Sequence, residues 1–115
     1  MKIKSKYFTL EELTRTNTGL LNIPSIKEVA NLQDLVTNIL DPLRELYEHP
    51  IIVGSGYRSP RVNTAVKGSS SSHHVKGMAA DIEGFDKSKV ENKKLYELIK
   101  NNFKFTQLIN ERNFS

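Results

Sequence analysis

Apolar positions along the chain recur in two rhythms. Behind Pro24-Ser25-Ile26-Lys27-Glu28, the residues Val29, Leu32, Val36, Ile39, Leu43 and Leu46 follow one another at steps of three and four, which marks one face of a long helix. Ser25 is its expected N-cap and Glu28 the partner that completes a capping box. Pro42 falls inside this pattern, so a kink or restart is expected there, with Asp41 placed to cap the second half. Thr9-Leu10-Glu11-Glu12 carries the same capping pattern and predicts a short helix from Leu10 that dies near Asn17-Thr18-Gly19. The second rhythm is that of short strands. Ile51-Ile52-Val53 is β-branched and apolar, a buried strand that ends at Gly54-Ser55-Gly56. Ser59-Pro60 then reads as an N-cap with proline at the first helical position; Val62, Ala65 and Val66 form the apolar side and Gly68 the stop. Gly77 to Ile82 reads as a strand. Ser88-Lys89-Val90-Glu91 caps a further helix with Val90, Leu95, Leu98 and Ile99 inward, and Phe105 to Ile109 is a final strand.

This order predicts an α+β fold, a small and mainly antiparallel sheet packed against helices. The 115 residues suit one domain, 1–115, long enough to bury a core without cross-links. The absence of cysteine excludes a disulfide scaffold, a thiolate zinc finger and a cysteine nucleophile. The net charge of +4 is spread along the chain with no run of five basic residues and no interleaved aromatics. A mixed solvated surface explains it better than a nucleic-acid patch, and no nucleic-acid partner is expected. No stretch approaches the roughly 20 apolar residues of a membrane span, and no apolar signal core follows the basic start Met1-Lys2-Ile3-Lys4-Ser5-Lys6. The chain is expected to be a monomer without membrane insertion, either cytosolic, released by a route other than a cleaved signal, or exported with a leader that this sequence does not include.

Candidate chemistry lies in two stretches. In Ser72-His73-His74-Val75-Lys76-Gly77-Met78-Ala79-Ala80-Asp81, a strand from Gly77 would put Met78, Ala80 and Ile82 inward. Gly77 and Ala79 would then leave open space in front of Asp81. Imidazole and carboxylate are both good zinc ligands, needed within about 2.0–2.2 Å of the ion. Seven extended residues span about 23 Å, so His74 and Asp81 share a metal only if the chain bends, and Gly77 is the place for that bend. Residue chemistry alone leaves the blander readings open, a loop histidine beside a serine run and an aspartate capping a strand end. In Ser55-Gly56-Tyr57-Arg58-Ser59-Pro60, Arg58 sits where a strand meets a helix. It could clamp a carboxylate at two points or stabilise charge on a reacting carbonyl; an arginine beside an ordinary turn is the alternative.

Together the two stretches resemble the D-Ala-D-Ala carboxypeptidase family of zinc peptidases, which includes D-alanyl-D-alanine dipeptidases and phage endolysins. The resemblance rests on His74-x-x-Gly77-x-Ala79-x-Asp81 with Ser72 two residues before the histidine, and on Ser55-Gly56-Tyr57-Arg58-Ser59-Pro60 with Asn63 following. It extends to Asp41-Pro42-Leu43-Arg44 and to Phe105-Thr106-Gln107-Leu108-Ile109-Asn110-Glu111. It implies zinc as cofactor with His74 and Asp81 as ligands. It implies Arg58 as the residue that binds the substrate carboxylate or polarises the scissile carbonyl, and Ser72 as a residue that helps hold substrate or site. His73 is expected to be solvent-exposed. The implied partner is the stem peptide of peptidoglycan, hydrolysed by a zinc-activated water with an acidic general base, for which Glu111 lies in the right neighbourhood.

The resemblance also implies a third ligand, a histidine in a Trp-x-His-like element after the last strand. The sequence has no tryptophan, and besides His73 and His74 its only histidine is His49, which matches nothing in the motif. A C-terminally incomplete copy is therefore the expected reading, since the upstream elements look intact. A degenerate site or one completed by a partner chain are the alternatives. Three functions stand in order: a phage-lysin-like wall peptidase, a catalytically inactive peptidoglycan-binding module of the same fold, and a small basic nucleic-acid binder.

Overall fold

The computed structural model describes residues 2–68 and 72–103. The expected final strand, Phe105 to Ile109, and Glu111 lie outside the described residues. Thr9 caps α1 (Leu10–Thr14) through the capping box with Glu12. The helix stops at Thr14, earlier than the sequence suggested, because Arg15 is already extended. Ser25 caps α2 (Ile26–Leu35) with Glu28 as partner. A π-helical turn, Val36–Leu40, runs straight into α3 (Asp41–Tyr47).

That turn corrects the expectation of a restart capped by Asp41. Pro42 has no N–H and its ring crowds the carbonyl four residues back. The helix meets this by widening just ahead of the proline, where the Asp41 N–H reaches back five residues to the Val36 carbonyl. Asp41 caps nothing; its carboxylate accepts a hydrogen bond from Ser5 Oγ at 2.7 Å and so ties down the N-terminal segment. The widened turn also shifts the apolar face. Leu35 and Leu40 are buried while Leu46, expected inward, is exposed.

β1 (Ile52–Ser55) and β2 (Asp81–Glu83) pair antiparallel. Val53 faces Ile82 and Ser55 faces Asp81, so Gly54 is the extra residue of a β-bulge. The expected strand from Gly77 to Ile82 is shorter than the sequence implied. Residues His73–Lys76 form a 3₁₀ turn capped by Ser72, and the chain leaves it through Gly77 in the left-handed region, φ 74°. The alternation read from Gly77 onward therefore fails: Met78 is 43% exposed while Ala79 and Ala80 are both buried. The small residues permit close packing rather than open space.

α4 (Pro60–Ala65) is capped by Ser59 as expected. It ends before Gly68, with Lys67 taking a positive φ, and buries Val62 and Asn63 while Val66 is exposed. α5 (Lys89–Asn102) is capped by Ser88 and buries Leu95 and Ile99; Val90, at 65% exposure, does not face inward. The core joins Leu32, Val36, Leu40, Leu43, Val53, Ile82, Leu95 and Ile99, each worth about 1.5–3 kcal/mol in apolar burial. α2, α3 and α5 thus back a two-stranded sheet whose bulged end carries Ser55 and Asp81.

Candidate metal and substrate site

The link between β1 and α4 runs hard against α1. A Cβ on Gly56 would overlap the Leu13 carbonyl, so only glycine fits there, and the Tyr57 N–H donates to that same carbonyl at 2.7 Å. The next residue is fixed too: the Arg58 N–H donates to the His74 carbonyl at 3.0 Å. The link and the 3₁₀ turn are in this way one unit, and each presents a side chain to Asp81.

Each nitrogen of the Arg58 guanidinium makes one contact within this cluster. Nε donates to Ser55 Oγ at 3.0 Å, Nη2 to Asp81 Oδ2 at 3.2 Å, and Nη1 makes a long contact with Asn63 Oδ1 at 3.5 Å. His74 is oriented by the backbone. Ser72 Oγ accepts from its N–H at 3.2 Å, and its Nδ1 lies 2.7 Å from the Gly56 carbonyl. A carbonyl only accepts, so Nδ1 carries the proton and Nε2 of the neutral ring carries a lone pair. Nε2 stands 3.6 Å from Asp81 Oδ1, too far for a hydrogen bond. The side chains of His74, Arg58 and Asp81 are 12%, 17% and 26% exposed, a partly buried cluster open on one side. A groove of about 310 Å³ opens onto it, lined by Arg58, Asp81, Ser55 and Glu83 and by the loop from Arg15 to Thr18.

His74 Nε2, oriented by the Gly56 carbonyl, and Asp81 Oδ1, on a carboxylate held by Arg58, are spaced as two ligands of one cation would be. At zinc bond lengths of about 2.0–2.2 Å and tetrahedral angles, neighbouring donor atoms stand roughly 3.3–3.6 Å apart. The His74–Asp81 pair fits that spacing, and the Gly56 carbonyl behind Nδ1 is the usual outer partner of a metal-bound histidine. Among the described residues no group of three histidine, aspartate or glutamate side chains converges on one point.

The structure therefore brings together four of the residues singled out from sequence. Ser72 acts on the backbone of His74, and Arg58 is turned onto Asp81 rather than left free. His73 is exposed, as expected. His49 stands apart, its ring edge-on to Tyr47 and tilted against Phe85. Ser55 and Asn63 belong to the cluster and were visible in the sequence only as neighbours of Arg58. A family model described as Peptidase M15 matches residues 6–113. No curated protein matches the chain.

Proposed function

From a chain that belongs to the peptidase M15 family, the zinc D-Ala-D-Ala carboxypeptidase-like peptidases, we propose a zinc-dependent hydrolase of the stem peptide of bacterial peptidoglycan. The observation that carries this reading is the His74 Nε2 and Asp81 Oδ1 pair, 3.6 Å apart. His74 and Asp81 would hold the ion, as two of the three protein ligands that a catalytic zinc takes. When bound, zinc polarises a carbonyl and makes an attached water acidic enough to attack it.

The chain's own residues do the rest. The Gly56 carbonyl and Ser72 fix the imidazole so that Nε2 stays available. Arg58 neutralises the second oxygen of Asp81 and brings positive charge to the groove wall. From there it meets a peptide carboxylate, or the oxygen of a carbonyl under attack, with a planar two-point donor. The groove between the Arg15–Thr18 loop and the bulged strand receives the peptide. Synthesis in the cytoplasm with lysin-like release to the wall fits this reading.

The test is release of peptides from purified peptidoglycan by the zinc-loaded chain, read by mass spectrometry, with His74→Ala and Asp81→Ala beside it. Cleavage lost in both variants supports the reading; cleavage kept in either one overturns it. The absence of a third ligand among the described residues favours a second reading, a wall-peptide-binding module of the same fold. It predicts retention of the chain on peptidoglycan with no peptide released at any zinc concentration.

A further inference from the structure

Asn22 belongs to none of the stretches that suggested chemistry, yet its side chain reaches the site from both sides. Nδ2 donates to the Tyr57 carbonyl at 2.9 Å and to the Thr14 carbonyl at 2.8 Å, and Oδ1 accepts from the Ser59 N–H at 2.6 Å. Tyr57 and Ser59 are the two neighbours of Arg58. We propose that Asn22 is a positioning residue for Arg58, a clamp that closes on the backbone before and after it and so aims its guanidinium at Asp81.

The chemistry of the clamp explains the residue. An amide supplies two donors and an acceptor from one rigid plane. Aspartate keeps the acceptor for Ser59 but turns a carboxylate oxygen toward two carbonyls. Alanine leaves one N–H and two carbonyls of a part-buried turn without their partner. The clamp is reinforced beside Asn22, where Ser59 Oγ donates to the Leu21 carbonyl at 3.2 Å. It is also mounted on an ordered loop. Thr16 and Thr18 share a hydroxyl hydrogen bond of 3.0 Å, and the N–H groups of Thr18 and Leu20 donate to those hydroxyls at 3.2 Å each. Residues Arg15 to Thr18 of this loop wall the groove, so Asn22 ties the wall of the groove to the arginine that faces into it.

The functional arm of the test rests on the peptidase reading; the spectroscopic arm does not. In the full chain, Asn22→Ala and Asn22→Asp are compared with wild type, alone and in an Arg58→Gln background. The Arg58 Nε–H, donated to Ser55 in the wild type, is followed by NMR. Its exchange with water should quicken at least about tenfold in both Asn22 variants. Zinc affinity should move by less than about threefold, because the His74 contacts are left in place. On a peptide substrate kcat/KM should fall about 10- to 100-fold with Arg58 present, and less than about threefold further with Gln at 58. Equal losses in both backgrounds overturn the proposal, as does an Arg58 Nε–H that does not respond. If Asn22→Ala fails to fold, Asn22→Asp decides alone. If the wild type releases no peptide, the peptidase reading falls while the Nε–H exchange still decides the role of Asn22.

Discussion

Two glycines with almost the same backbone separate the cost of a left-handed residue from the cost of a crowded one. Gly19 has φ 77° and Gly77 has φ 74°. A Cβ on Gly19 would meet nothing within 4 Å, whereas one on Gly77 would stand 2.7 Å from the Glu28 carbonyl oxygen and 3.2 Å from Leu32 Cγ. An L-residue in this conformation costs about 1–2 kcal/mol, offset by about 0.4–1 kcal/mol because alanine restricts the unfolded chain. Both terms apply equally to Gly19→Ala and Gly77→Ala and cancel in their difference. What remains is the clash with the α2 backbone, about 1–3 kcal/mol for overpacking that must move main chain. For 115 residues that difference corresponds to a Tm lower by roughly 4–12 °C in Gly77→Ala than in Gly19→Ala. Paired thermal melts followed by circular dichroism measure it. Equal Tm losses in the two variants would refute the reasoning, since they would mean that the turn between His74 and Asp81 is not pressed against α2 and that φ alone selects glycine there.

Other outcomes follow from the same contacts. Gly56→Ala should push the link away from Leu13 and draw the Gly56 carbonyl off His74 Nδ1, weakening zinc binding about 10- to 100-fold; calorimetry with His74→Ala as reference checks it, and unchanged affinity counts against the orienting role. The hydroxyls of Tyr47 and Tyr57 are pushed up to about 12, chiefly by burial and then by Glu91 and Glu28 respectively. Their contribution to stability is complete below about pH 10 and lost as pH rises toward about 12, so alkaline unfolding should set in across that window, with NMR of the two rings reporting their ionisation there. The hydrogen bond from Tyr47, and after it that from Lys94, holds the Glu91 carboxyl below the usual range. Its contribution is present above about pH 4.3 and lost as pH falls further, so the stability gap between wild type and Tyr47→Phe should be constant from pH 5 to 8, to within about the error of urea extrapolation, and narrow in acid.

What the sequence disclosed, and what it hid, follows from the range of the forces involved. Capping is local, and Thr9, Ser25, Ser59 and Ser88 all cap where their patterns placed them. The bend at Gly77 was legible because two residues seven apart could meet only through it. The strand there was misjudged because the burial of Ala79 and Ala80 is set by the folded core, which Ala80 joins beside residues as distant in sequence as Leu32 and Leu13. The π-helical turn was hidden for a different reason: Pro42 announces a disturbance but not which side of it the helix will yield. Asn22 was invisible because all three of its hydrogen bonds are to backbone groups, two of them more than thirty residues away.

The bulge at Gly54 has a consequence for how the domain can vary. Side chains on a strand alternate with a period of two, so a single inserted residue reverses the phase of everything after it. Upstream, Val53 keeps step with Ile82 and the apolar interior; downstream, Ser55, Arg58 and their neighbours keep step with Asp81. Gly54 is thus a joint between two independent phases. Substitutions at the polar end can change what the groove holds without repacking the interior. Deleting Gly54 would leave Val53 against Ile82 and Ser55 against Asp81 in regular pairing, and would remove the extra residue that bends the strand between its two ends.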